Sequence, residues 1–121
     1  SVSTTSMSRE TSDIQYLKKD LENGTVSIWY FETSTPQDTI AIPEEINGKT
    51  VSQIGERLFE GNEEVKTVIL PKTVRAIGNS AFNFATTLEK VEISGPVEIL
   101  ENSSFYGCDS LQELNFPDGL K

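Results

Sequence analysis

The chain has 121 residues, room for one ordinary domain built on one core. Its 19 Asp and Glu against 10 Lys and Arg leave a net charge of -9, which opposes nucleic acid and anionic membrane surfaces as partners. With no His and a single Cys, a His-based triad, a Cys/His zinc site and an intrachain disulfide all lack their components, while 36% apolar residues suffice for a folded domain with a thin core.

Residues 1–12 (SVSTTSMSRETS) are polar and rich in Ser and Thr, and are expected to form a poorly ordered tail. The chain starts at Ser1 without Met, which suggests a trimmed or mature form. A removed secretory leader would leave the same start as none. No run approaches the roughly 18 apolar residues of a membrane-spanning helix; the longest are Ile28 to Phe31 and Val68 to Leu70. Residues 13–50 are expected to form an N-terminal cap. Within it, Asp13 to Asn23 (DIQYLKKDLEN) places Ile14, Leu17 and Leu21 on one helical stripe, with Asp13 as cap and Gly24 as stop signal. That spacing predicts a short amphipathic helix. Strands are expected over Gly24 to Phe31 and Thr39 to Pro43, followed by a tight turn at Asn47-Gly48, where both residues tolerate positive φ.

Residues 51–121 carry the dominant signal. Val51 to Thr73 (VSQIGERLFEGNEEVKTVILPKT), Val74 to Pro96 (VRAIGNSAFNFATTLEKVEISGP) and Val97 to Gly119 (VEILENSSFYGCDSLQELNFPDG) align without gaps at a spacing of 23 residues. Apolar columns run through Val51, Val74 and Val97; Ile54, Ile77 and Leu100; Phe59, Phe82 and Phe105; and Val68, Val91 and Leu114. Leu120 falls on the first column again, so a further unit is expected to begin there. In each unit, Gly55 or Gly78 is expected to permit a turn that other residues resist. A tight or one-turn helical segment then presents Phe59, Phe82 or Phe105 inward, and Gly61 or Gly107 reopens the chain. A short strand follows, ended by Pro71 or Pro117. No unit can bury its apolar face alone, so the pattern predicts an α/β repeat solenoid of short strands and short helical turns.

The run IPEEINGKTVSQIGERLFEGNEEVKTVILPKTVRAIGNSAF resembles the BspA-like leucine-rich repeat proteins, the Treponema pallidum type of leucine-rich repeat. The likeness covers roughly Gly24 to Lys121 and rests on Leu70, Pro71, Val74, Ile77, Gly78, Ala81 and Phe82. Departures are Ser94 for a proline, Glu101 for a glycine, and Phe84-Ala85 for a Gly-Cys pair. The resemblance implies a leucine-rich-repeat solenoid with an N-terminal cap, and a secreted or cell-surface bacterial protein that binds proteins of a host or neighbouring cell.

Catalytic chemistry finds no constellation: the sequence holds no His, no Gly-rich phosphate loop and no metal-ligand spacing, so neither an enzyme nor a cofactor or metal site is expected. Cys108 has no His to activate it and reads as a small structural spacer. Glu44-Glu45 and Glu63-Glu64 read as solvated faces, and the Asn23-Gly24-Thr25 and Asn102-Ser103-Ser104 glycosylation patterns as chance matches. If Val26, Ile28 and Tyr30 point inward, Trp29 and Phe31 lie on the opposite face, with Trp29 expected to pack beneath the N-terminal helix.

What remains is a surface. With Val68 and Leu70 inward, Thr67 and Ile69 face out, joined by Lys90 and Glu92 in the next unit and Glu113 and Asn115 in the third. The leading expectation is a non-catalytic protein-interaction or adhesion module that uses this strand face, with a homodimer formed through the open end of the array as a further possibility. The alternatives are a carbohydrate- or cell-wall-binding module with Trp29, Tyr30 or Tyr106 as stacking platforms, and a structural spacer in a longer repeat protein.

Overall fold

The computed structural model describes residues 2–7, 14–35, 37–100 and 105–115. Among them are eleven strands and no helix: β1 (Val2–Met7), β2 (Ile14–Asp20), β3 (Val26–Thr33), β4 (Thr39–Ala41), β5 (Glu45–Ile46), β6 (Lys49–Ile54), β7 (Thr67–Leu70), β8 (Ala76–Ile77), β9 (Lys90–Ile93), β10 (Ile99–Leu100) and β11 (Glu113–Asn115). They form two sheets. The first runs β1-β2-β3-β6-β8-β10, with β5 paired to β6, and the second runs β11-β9-β7-β4. Each turn of a solenoid of about four turns gives one strand to each sheet, and neighbouring turns pair in parallel.

The 23-residue repeat is the pairing register itself. Thr67 pairs with Lys90 and Lys90 with Glu113 in the second sheet, while Gln53 pairs with Ala76 and Ala76 with Ile99 in the first. Val51, Ile54, Val68, Leu70, Ile77 and Val91 from both sheets, and Val74 from the loop between β7 and β8, are fully buried in one apolar cluster. Through it runs a stack of rings. Phe59 and Phe82 lie 5.1 Å apart and 5° from parallel, and Phe82 and Phe105 lie 5.0 Å apart and 3° from parallel. Phe31 extends the stack by one more turn at 5.1 Å from Phe59, tilted by 46°. Asn47 and Gly48 take φ of 53° and 80° in the tight turn that joins β5 to β6, as their sequence predicts.

The short helical turns expected after Gly55 and Gly78 are instead hydrogen-bonded turns. The cause is visible in their amides: Arg57, Phe59 and Gly61 donate to the carbonyls of Asn79, Ala81 and Asn83 in the next turn of the solenoid, so these groups are spent between turns and not along a helix. Left-handed φ values near 60° at Arg57 and Ser80 also interrupt any right-handed helical run. The glycines of the Ile-Gly step need a different explanation from the conformational one expected. Neither Gly55 nor Gly78 has a positive φ. A Cβ at Gly78 would lie 2.8 Å from Glu56 N and 2.9 Å from Ile54 O, so glycine stands at positions 55 and 78 because each packs too closely on the preceding turn for a side chain. In contrast, Gly61 and Gly107 do adopt positive φ of 72° and 77°.

The N-terminal cap is the main departure. Residues 14–20 form strand β2, not a helix, and Val2–Met7, expected as a loose tail, form a strand antiparallel to it. Ile14, Tyr16 and Lys18 are buried while Gln15 and Lys19 are exposed, a period of two that the Ile14/Leu17/Leu21 spacing masked. A strand satisfies the backbone edge of β3, which a helix could not. Gly24, read as a helix stop, sits at φ +87° in the hairpin turn where Leu21 N donates to Thr25 O. Lys18 reaches this buried face because its stem is apolar and its ammonium bonds Asp20 at 2.9 Å, with Lys49 at 3.6 Å from the same carboxylate oxygen. Asp13, Glu101, Pro117 and Leu120 lie outside the described residues.

Two outcomes follow from this packing. Phe82→Ala removes the ring stacked on both sides and should cost about 3–5 kcal/mol, with half-buried Phe105→Ala costing less, as read from urea unfolding midpoints. The hydrogen bond from Lys18, helped by the charges of Lys18 and Lys49, holds the Asp20 carboxyl below its ordinary value of 3.8. A depressed carboxylate stabilises the fold fully above the unfolded value and loses that contribution as the pH falls through the folded one. The difference in urea midpoint between the wild type and Asp20→Asn should therefore be present at pH 7 and shrink as the pH is lowered below about 4.

Candidate functional site

The second sheet places all six predicted face residues together. On β7, β9 and β11, Val68, Leu70, Val91 and Ile93 are buried, and Thr67, Ile69, Lys90, Glu92, Glu113 and Asn115 occupy the alternate, outward positions. Parallel register aligns them in two rows, Thr67-Lys90-Glu113 and Ile69-Glu92-Asn115. Ile69 is half-buried, less open than its parity alone suggests. The rows extend to β4, where exposed Thr39 and Ala41 pair with Thr67 and Ile69. Sequence comparison missed these two because their offset is 28 residues instead of 23. Along β9, Lys90 Nζ bonds Glu92 Oε2 at 2.9 Å, and this bond together with the charges of Glu92 and Glu113 holds the Lys90 ammonium above its ordinary pKa. The face is a polar surface with a charge pair beside the aliphatic Ile69 and Ala41.

On the outer side of the first sheet, Trp29 and Tyr30 stand together. Leu17 pairs with Tyr30 and Lys18 with Ile28, so Trp29 is the extra residue of a β-bulge. The bulge shifts parity within β3: Ile28 and Phe31 both turn to the core, and Trp29 and Tyr30 both turn out, at 38% and 45% exposure with ring centroids 6.0 Å apart. This corrects the simple alternation expected, which put Tyr30 inside and Phe31 outside. With β2 in place of a helix, nothing helical covers Trp29.

The turn edge carries the remaining candidates. Tyr106 is 66% exposed and meets Phe84 edge to face at 5.5 Å. Phe84 fills the column of Gly61 and Gly107 at φ 59°, and its ring occupies the space that a side chain at Gly107 would need. Cys108 is half-buried, its thiol donating to Phe82 O at 2.9 Å in the preceding turn. Its column mate Asn62 works differently, with Oδ1 accepting from the amides of Glu64 and Val65 at 2.8 Å each. Glu44, Glu45, Glu63 and Glu64 are exposed. Among the described residues, no group of three His, Cys, Asp or Glu side chains could hold a metal ion, and no helix is long and apolar enough to cross a membrane. Asn102-Ser103-Ser104 lies outside the described residues.

Burial, reinforced by the charge of Asp109, pushes the Cys108 thiol above its ordinary value of 9.0, against a smaller opposing backbone hydrogen bond from Ala85. At pH 8 the thiolate fraction is then smaller than that of a free cysteine. Iodoacetamide should alkylate Cys108 in the folded chain more slowly than in urea, with mass spectrometry following the rate.

The geometry has its counterparts in known proteins. The model of the BspA type leucine rich repeat region matches residues 25–121 with six copies. Among solved structures, a leucine rich cell surface protein from Faecalibacterium prausnitzii is 28% identical with a TM-score of 0.71, over 81% of this chain and 28% of its own. A leucine-rich repeat protein from Bacteroides capillosus is 25% identical with a TM-score of 0.78, over 97% and 84%. The Treponema pallidum leucine rich repeat protein is 22% identical with a TM-score of 0.79, over 95% and 51%, a likeness of fold alone. The chain thus spans about a quarter of the first of these proteins and half of the third. No curated protein matches it. With four stacked turns in a common register and a repeat model that spans all but the first two dozen residues, the chain belongs to the BspA-type leucine-rich repeat family.

Proposed function

We propose that the chain is a non-catalytic interaction module of a secreted or cell-surface bacterial protein, and that it binds a protein partner through the outer face of its second sheet. The observation that carries this reading is the pair of register-locked rows, Thr39-Thr67-Lys90-Glu113 and Ala41-Ile69-Glu92-Asn115, on four parallel strands. A rigid backbone holds these side chains at fixed spacing, so docking costs little conformational entropy. Lys90 and Glu92 supply adjacent opposite charges that a partner must match in order, and Ile69 with Ala41 supplies the apolar contact. The cell-surface setting draws support from the F. prausnitzii relative. Self-association through the C-terminal end of the array belongs to the same proposal; that end falls outside the described residues, and sedimentation velocity over a range of concentrations tests it.

The binding test is a screen of the intact chain against extracellular-matrix proteins, run beside the double variant Lys90→Glu, Glu92→Lys. The swap retains opposite charges on an exposed face, where such pairs contribute little to stability, and reverses the charge order presented to a partner. A matrix protein that binds the wild type should bind the variant at least about tenfold more weakly. Equal binding to both proteins would remove this face from the interaction, and no binding across the panel would count against the module reading.

A further inference from the structure

The bulge in β3 does something that a regular strand could not. It sends two consecutive aromatic residues to the same outer face of the first sheet. Trp29 borders a cleft of about 420 Å3 shared with Lys19, Ser27, Gln53 and Glu56. Gly55 lies in its lining and packs directly on the preceding turn: a Cβ there would lie 3.0 Å from Trp29 Cβ and 2.9 Å from Ile28 O. On the other side of the aromatic pair, Tyr30 borders a second cleft of about 360 Å3 with Glu32, Thr33 and Ser34. Both volumes are in the range of small-ligand sites.

From this arrangement we infer a neutral-oligosaccharide site across the outer face of β3, with Trp29 and Tyr30 as stacking platforms and Gln53 and Glu56 as hydroxyl-binding groups. The CH face of a pyranose packs on the negative face of an aromatic ring. The hydroxyls around it need groups that accept and donate in one plane, which the Gln53 amide provides, while Glu56 accepts and Lys19 donates. Two clefts divided by an aromatic pair fit an extended chain of sugar rings better than a single compact ligand. A peptide adding as a strand is disfavoured here, because β3 is already paired on both sides, to β2 and to β6. Charge selects for neutral glycans: Lys19 and Glu56 oppose each other within the cleft, and the net charge of -9 repels anionic polysaccharides. The site lies on the opposite sheet from the proposed protein-binding face, so the two readings stand or fall separately.

Trp29 is the single tryptophan, so its emission reports on this site without background. The intact chain is titrated with cellohexaose, mannohexaose and chitohexaose, with a heparin hexasaccharide as the anionic comparison. A saturable change in Trp29 emission with at least one neutral probe is expected, and calorimetry should show binding about tenfold weaker for Gln53→Ala and for Trp29→Ala. Gln53→Ala, half-exposed at the rim, keeps the test valid should substitution at the bulge disturb folding. The Lys90→Glu, Glu92→Lys variant should bind the sugar as the wild type does. No emission change with any neutral probe at millimolar concentration would overturn the assignment. So would wild-type affinity in Gln53→Ala, preferential binding of the heparin fragment, or a response confined to protein ligands.

Discussion

Everything in this molecule depends on successive turns lying one strand spacing apart, about 4.8 Å, because they are joined by backbone hydrogen bonds on every side. Three ladders impose it: one in each sheet, and a third at the turn edge where Arg57, Phe59 and Gly61 donate to Asn79, Ala81 and Asn83. The spacing dictates the chemistry of the columns. Rings separated by about 5 Å can lie flat upon one another, which is why phenylalanine recurs at 59, 82 and 105. A column turned toward the next backbone has room for hydrogen alone, hence Gly55 and Gly78.

The first turn of the solenoid meets a different requirement, since it must end the stack without leaving an open edge. The chain does so by doubling back: β2 pairs antiparallel with β3, and β1 with β2, so sheet continues where repeats stop. The bulge at Trp29 reconciles the two halves of β3. It lets Val26 and Ile28 follow the repeat on one side while Phe31 still joins the ring stack on the other. Sending Trp29 and Tyr30 to the outer face is the consequence of that adjustment.

The repeat part was legible because many positions vote for one period. Val68, Leu70, Val91 and Ile93 alternate as a strand must, and the outward positions of Thr67, Lys90 and Glu113 followed from them directly. Illegible features had physical reasons. β8 and β10 are two residues long, too short to show alternation, so the first sheet was hidden in what read as turns. In IQYLKKD the apolar Leu17 completes a helical stripe, and the strand pattern emerges only if Lys18 is counted as a buried residue, which requires knowing that Asp20 stands beside it. A bulge leaves no mark in composition, so the facing of Trp29, Tyr30 and Phe31 was beyond reach of parity.

The first turn also contains five more residues than its successors between the second-sheet strands: Thr39 pairs with Thr67 across 28 residues, where Thr67 pairs with Lys90 across 23. That surplus is taken up by β5, which folds back on the start of β6 through the turn at Asn47-Gly48, while β6 goes on to pair with β3, across one register shift, and with β8. Corners of this solenoid therefore tolerate insertion while the stacked ring column of Phe59, Phe82 and Phe105 holds one side chain throughout. Novel loops can be grafted at such corners, in evolution or by design, and variety of surface can grow on a scaffold whose interior stays fixed.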